Sequence, residues 1–230
     1  MKRLNALCFL FLFLGSCGIS SAPQSHQAPP LRLLEQHQLD AKNFELFLRA
    51  FKKEKVLELW AKNKSATQFK KIRTYDFCTT SGNLGPKRKE GDLQIPEGCY
   101  WIDRFNPNSA FHLSLGINYP NASDRILGHP QQPGSDIFIH GGCASVGCIP
   151  ITNSKIEELY ALASMAKELG QSNIQVHIFP SKEIEELASK ATPSSIFWKN
   201  LVPIFNYFET HQQLPNLKIQ SNGQYSIVNK

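Results

Sequence analysis

The densest group of chemically capable side chains is His140-Gly-Gly-Cys143-Ala-Ser145-Val-Gly147-Cys148-Ile-Pro. An imidazole and two thiols bracket a run of small residues. The thiolate is the nucleophilic form of cysteine, and a nearby imidazole or helix N-terminus favours it. Glycines let backbone N–H groups approach a substrate oxygen and hold an oxyanion. A Cys–His acyl-transfer site is therefore one reading. A metal site is a second: His140, Cys143 and Cys148 are soft ligands, and His112, His129 or His177 could complete the set, although H-x2-C-x4-C is not a common zinc spacing. A Cys143–Cys148 disulfide is a third. A tight turn of small residues with buried cysteines is a fourth. Residue types alone leave all four open.

Such a loop needs a strand to deliver it and a helix to receive it. Residues 136–140 form a short apolar strand ending at His140, and Thr152 or Asn153 caps a helix over 154–169 that stops at Gly170. Residues 173–179 alternate as a strand. Segments 181–191 and 194–212 read as helices, and a short strand closes the chain at 224–228. Upstream, 69–78, 99–103 and 111–118 read as strands. Turn signals separate them at Gly82, Gly85-Pro86, Glu90-Gly91-Asp92 and Pro96-Glu97-Gly98. Residues 119–135 form a Pro/Gly-rich connection. In 31–62, Leu33-Leu34, Leu39, Phe44, Phe47-Leu48, Phe51, Val56-Leu57 and Trp60 recur at three- and four-residue spacing, which predicts two helices or one broken helix. Cys78 and Cys99, on neighbouring predicted strands, form a second candidate disulfide. The class is α+β, and no internal repeat is visible.

The 230 residues carry a net charge of +6, with 41% hydrophobic and 19% charged residues, which suits a folded globular chain. Six cysteines are too few for a disulfide scaffold, and the mild basicity does not call for nucleic acid. Met1-Lys2-Arg3, an apolar run over 4–14 and Leu14-Gly15-Ser16-Cys17 read as a lipoprotein signal. Cys17 is then the lipidated first mature residue, and the protein is exported to the periplasm and anchored at the outer membrane. The expected order is a signal peptide (1–16), lipidated Cys17 with a flexible tether (17–30), an N-terminal helical segment (31–62), a catalytic domain (63–180) and a C-terminal helical extension (181–230).

His140-Gly141 followed by Ser145-Val146-Gly147-Cys148 resembles the signature of the L,D-transpeptidase (YkuD-type) family, a His-Gly ending a strand and then Ser/Thr-His-Gly-Cys. Two departures are present. Val146 replaces the second His, and Cys148 lies eight positions after His140, where typical members place it about twice as far. Both departures are similar to the YafK-like branch. So are Gly85-Pro86-Lys87, Glu90-Gly91-Asp92, Pro96-Glu97-Gly98, Phe111-His112, Tyr119-Pro120-Asn121 with Asp124-Arg125, and Phe197-Trp198. The resemblance implies a mainly β core with helices at both ends. It implies Cys148 as nucleophile, His140 as its base, the Gly141 carbonyl orienting the imidazole, and N–H groups of Gly147 and Cys148 as oxyanion donors.

Peptidoglycan stem peptides containing diaminopimelate would be the substrate, and a wall-linked lipoprotein a further partner. Arg125, with Lys87 second, would bind the substrate carboxylate. His112 and Tyr119 would line the pocket, and Ser145 would hold the loop. Cys143 would be a wall residue or a redox partner of Cys148. No metal or organic cofactor is required. The implied reaction makes or breaks amide bonds through a Cys thioester, including hydrolysis of a diaminopimelate–lysine link. The alternative is a non-catalytic wall-binding lipoprotein with a degenerate or metal-binding site.

Overall fold

The computed structural model describes residues 28–228; the signal, Cys17 and the first part of the tether lie outside the described residues. The element order is α1 (Pro29–Gln36), β1 (Phe44–Phe51), β2 (Val56–Asn63), β3 (Lys70–Asp76), β4 (Gly98–Ser109), β5 (His112–Ile117), α2 (Ala122–Leu127), β6 (Phe138–His140), β7 (Ile149–Pro150), α3 (Asn153–Glu168), β8 (Gln175–Phe179), α4 (Ile184–Ser189), α5 (Ser195–His211), β9 (Leu217–Ile219) and β10 (Tyr225–Ile227). One eight-stranded mixed sheet runs β3-β2-β1-β8-β4-β5-β6-β7, and β9 and β10 form a separate hairpin. The class is α+β, as the sequence implies.

The segment 31–62 departs from its expected helices. Only the eight-residue α1 is helical there, and 44–63 forms the antiparallel β1–β2 pair. The cause is burial on both faces. Phe44, Leu46, Leu48 and Ala50 enter the main core with Ile156, Leu159 and Leu162 of α3. Phe47 packs on Phe208 and Phe51 on Phe205, both from α5. With apolar residues at odd and even positions alike, the period of two that marks a half-buried strand disappears and mimics helical spacing.

Between Phe47 and Phe51, Arg49 is 2% exposed. Its guanidinium lies within 6 Å of the rings of Phe51, Trp60, Phe179, Phe205 and Phe208 and pairs with Glu209 at 2.6 Å. Charge and packing thus fix α5 against the sheet. α2 forms inside the connection expected to be irregular. Its short run is carried by a capping box in which Asn121 and Asp124 exchange backbone and side-chain hydrogen bonds.

The sheet curls until its two ends meet. β3 and β7 stand at opposite ends of the pairing order, yet the Cys78 N–H just beyond β3 donates to the carbonyl of Pro150 in β7 at 3.0 Å. A Cys78–Cys143 disulfide joins the same two regions, with Cα atoms 5.4 Å apart. This pairing replaces both expected ones: among the described residues, Cys99 and Cys148 are free. Among the described residues, no helix is long and apolar enough to cross a membrane.

Candidate active site

β6 and β7 are parallel neighbours, with Ile139 opposite Ile149 and His140 opposite Pro150. Cys148 immediately precedes β7, so it sits beside Phe138, and the Phe138 N–H donates to Sγ at 3.4 Å. Phe138 and His140 share a sheet face because strand side chains alternate. The sequence therefore brings thiol and imidazole to one face of adjacent strands through an eight-position loop.

His140 is 2% exposed, with the Phe111 ring packed against it at 4.7 Å and tilted by 39°. Its Nδ1 lies 2.6 Å from the Gly141 carbonyl oxygen. A carbonyl only accepts, so Nδ1 carries the proton and Nε2 holds the free lone pair. That carbonyl is fixed in turn. A Cβ on Gly141 would stand 2.8 Å from Asn153 Oδ1 and from the Phe111 carbonyl, so only glycine fits. Asn153 Oδ1 also accepts the Gly142 N–H at 2.8 Å, which ties the loop to the start of α3.

The Cys148 thiol is half-buried. Besides accepting from Phe138, it donates to the Asp136 carbonyl at 3.6 Å. Burial pushes its pKa above the usual 9.0, with the Asp136 charge adding to the rise and the Phe138 N–H and Lys87 opposing it. Burial holds the His140 pKa below 6.5, against the Gly141 hydrogen bond. Both shifts favour a neutral thiol beside a neutral imidazole rather than a thiolate–imidazolium pair.

Ser145 holds the loop: its Oγ donates to the Cys148 carbonyl at 2.9 Å and accepts the Cys148 N–H at 3.1 Å. Gly147 adopts φ +86°, and its N–H donates to Ser81 Oγ at 2.7 Å. Both N–H groups expected as oxyanion donors are thus already bonded to hydroxyls. The Ser81 segment is anchored from below by a buried network. Lys52 Nζ donates to the carbonyls of Gly85 and Ile95 and pairs with Glu97 at 3.0 Å, while Trp198 Nε1 donates to the other Glu97 oxygen at 2.6 Å.

Three of the four expected ligands lie elsewhere, and the fourth, Lys87, is near enough for its charge to act on Cys148 but is spent on Asp92. Arg125 is exposed and donates to the Pro120 and Asn121 carbonyls. It lines a cavity of about 380 Å³ shared with Cys99 and Trp101, not with Cys148. Lys87 is buried and pairs with Asp92 at 2.6 Å. His112 is turned outward at φ +76° and meets Glu157 of α3 at 2.6 Å. Tyr119 is buried, and its hydroxyl donates to the Pro133 carbonyl at 2.7 Å, bracing the connection. The metal reading loses its ligands in the same way. Cys143 is in the disulfide with Cys78, and the His177 ring lies between those of Phe47 and Phe179.

Sequence reasoning gave no role to Ser81, Arg104 or Asp136, read Asn153 only as a helix cap, and met Phe111 only as part of the resemblance. Arg104 and Asp136 pair at 2.7 Å beside Cys148, whose Sγ donates to the Asp136 carbonyl. They reach the site through sheet register and loop packing, which leave no local motif.

The L,D-transpeptidase catalytic domain (YkuD) family matches residues 47–178. The "Putative L,D-transpeptidase YafK" of Escherichia coli (strain K12) is 33% identical over 186 residues, which is 79% of this chain and 73% of that protein. Among solved structures, the helical cell shape determining protein Pgp2 from Campylobacter jejuni shares 15% identity at a TM-score of 0.46, covering 83% of this chain and 80% of that one. Mycobacterium tuberculosis L,D-transpeptidase 1 shares 10% at a TM-score of 0.33, covering 59% and 62%. The matched span runs from within β1 nearly to the end of β8 and holds both His140 and Cys148, and on that match the chain belongs to the L,D-transpeptidase catalytic domain family.

Proposed function

We propose that this chain is a cysteine-dependent enzyme that forms or cleaves amide bonds at diaminopimelate in peptidoglycan. The observation that carries the reading is the fixed tautomer of His140, with Nδ1–H spent on Gly141 and Nε2 free on the face that holds Cys148. The thiol turns from Asp136 toward Nε2, which takes its proton as Sγ attacks the substrate carbonyl. At Gly147 or Cys148, the developing oxyanion exchanges places with the Ser81 or Ser145 hydroxyl. His140 then gives the proton to the leaving amine, and a thioester remains. An amine or water, deprotonated by His140, releases the acyl group and restores the thiol.

Within that class the hydrolytic direction is favoured, acting on the link between diaminopimelate and the lysine of a wall-bound lipoprotein. The loop from His140 to Cys148 is short and tied to Cys78, and Val146, 69% exposed, stands where a second imidazole would assist an incoming amine. A lipid on Cys17 would hold the enzyme at a membrane facing the wall; labelling with a palmitate analogue that survives Cys17→Ser would refute that anchor.

The catalytic reading is tested by incubating wild type and Cys148→Ala with purified sacculi and weighing the released products. Release of lipoprotein by wild type alone is expected. Identical products from both proteins would leave only the wall-binding alternative, and 3–3 cross-linked products would assign the transferase direction.

A further inference from the structure

The row of residues leading across the sheet to Cys148 is built around a glycine. Arg104 of β4 is registered with Gly116 of β5, and Gly116 with Phe138 of β6, the residue whose N–H touches the thiol. Residues registered across strands share a face, so Arg104 and Cys148 lie on the same side. A Cβ on Gly116 would come within 2.8 Å of Arg104 Nε and 3.1 Å of the Phe138 ring. Its absence lets the guanidinium lie over β5 and stack 4.8 Å from the Phe138 centroid. There Nη1 donates to Asp136 Oδ1 at 2.7 Å, Nε to Asp103 at 3.1 Å, and Nη2 to the Ile117 carbonyl at 3.4 Å.

Asp136 stands at φ +56°, between the guanidinium and the thiol. Its carboxylate meets Arg104 and its carbonyl accepts from Cys148 Sγ. Unlike Lys87, this pair is open, with Arg104 42% and Asp136 66% exposed.

We propose that Arg104 and Asp136 are specificity-determining residues that read an ammonium and a carboxylate borne on one carbon of the substrate, beside the carbonyl that Cys148 attacks. The inference rests on the amide-cleaving reading above and names the group that it recognises. Two carboxylates, Asp103 and Asp136, surround one guanidinium, so the cluster retains a negative charge. A ligand with a carboxylate alone meets repulsion from that excess. A ligand carrying both charges satisfies it: its carboxylate takes the planar fork of Arg104, and its ammonium takes Asp136. The far end of a diaminopimelate side chain is such a group.

The experiment uses a stem peptide whose diaminopimelate main-chain carbonyl is linked to the Nε of lysine. It is prepared with the distal carboxyl free, with that carboxyl amidated, or with the distal amine acetylated. Wild type is expected to prefer the free form by at least about 10-fold in kcat/KM. Arg104→Ala should lower kcat/KM for the free form about 10- to 100-fold, mainly through KM, and for the amidated form by less than about 3-fold. Arg104→Lys should fall between, and Asp136→Asn should erase discrimination against the acetylated amine.

Melting curves for each variant separate misfolding from lost recognition, since misfolding lowers all three rates together. Equal losses on the free and amidated forms, or a wild type that cleaves them equally, would overturn the inference and leave the amide-cleaving reading standing. A wild type that cleaves none of them would overturn both.

Discussion

Cys148 and Cys99 are both half-buried free thiols at strand ends, and each has a histidine on the neighbouring strand. Cys99 is registered opposite His177, as Cys148 is carried beside the strand of His140. Burial raises both thiols, and more strongly at Cys99. His177 is pushed down to about 3 by burial and by the Arg49 charge, and burial also lowers His140, against the Gly141 hydrogen bond. Around Cys99, Asp124 is raised to about 6 by burial, and Tyr100 and Tyr225 also rise. The larger titration shifts therefore surround Cys99 rather than Cys148. Burial perturbs groups wherever it occurs. What separates the two sites is hydrogen bonding. Cys148 Sγ has a backbone donor, and His140 has its Nδ1 proton fixed and its Nε2 free. His177 Nε2 faces Gln175, and its buried Nδ1 has no partner among the described residues.

Exchanging the two thiols for alanine gives the strongest contrast. Cys148→Ala should reduce turnover at least about 1000-fold, to the background rate, while Cys99→Ala stays within about 2-fold of wild type. Comparable losses in the two variants would dissolve the distinction.

The bases come next. His140→Ala should cost about 1000-fold in kcat/KM. In the proposed mechanism the neutral form of His140 is the base, and burial lowers its pKa, so the acid limb of kcat/KM should inflect below 6.5. Cys148 shifts upward, so alkylation of the free enzyme by iodoacetamide should inflect above 9.0. A thiol alkylated with an inflection near neutrality would replace the neutral pair with a thiolate–imidazolium pair.

His140 and Cys148 were legible in the sequence because a strand end and one short loop carry both. The Gly141 carbonyl and Ser145 belong to the same loop and were legible for the same reason. Arg104 and Asp136 were not, since they arrive through four-strand register and the gap at Gly116. Arg125 was misplaced because proximity to the His140 strand in sequence says nothing about which cavity the capped turn of α2 faces. The helices expected in 31–62 failed where a strand is covered on both faces. Helices α3, α4 and α5, each with one covered face and clear stops, lie close to their expected spans. The disulfide pairing was hidden because it depends on the curl that brings the ends of the sheet together.

That disulfide should matter more to the Cys148 side than any single hydrogen bond. It closes a loop with a sequence separation of 65, worth about 4 kcal/mol by chain entropy alone. Cys78→Ser with Cys143→Ser should therefore lower unfolding free energy by up to about that amount in denaturant titration. Activity should fall along with it, because Cys143 lies inside the His140–Cys148 loop. A double variant of unchanged stability would mean that the curl holds without the bond.

Asp124 offers the smallest effect and tests the quiet region. Its carboxylate accepts the Asn121 N–H at 3.1 Å and the Tyr100 hydroxyl at 3.2 Å, with Arg88 4.0 Å away. Burial outweighs these and raises its pKa from 3.8 to about 6. The folded state then binds the proton more tightly than the unfolded state. The contribution to stability is full below pH 3.8 and is lost as pH rises through about 6. Measured against Asp124→Asn, wild type should lose about 3 kcal/mol between those limits, since each tenfold difference in proton affinity between the two states is worth about 1.4 kcal/mol. The variant keeps an acceptor at the helix cap, so the difference isolates the charge. A difference that grows with pH instead would show that Arg88 and the cap hold Asp124 ionised. The large shifts around Cys99 would then no longer follow from burial, and the contrast between the two thiols would rest on hydrogen bonding alone.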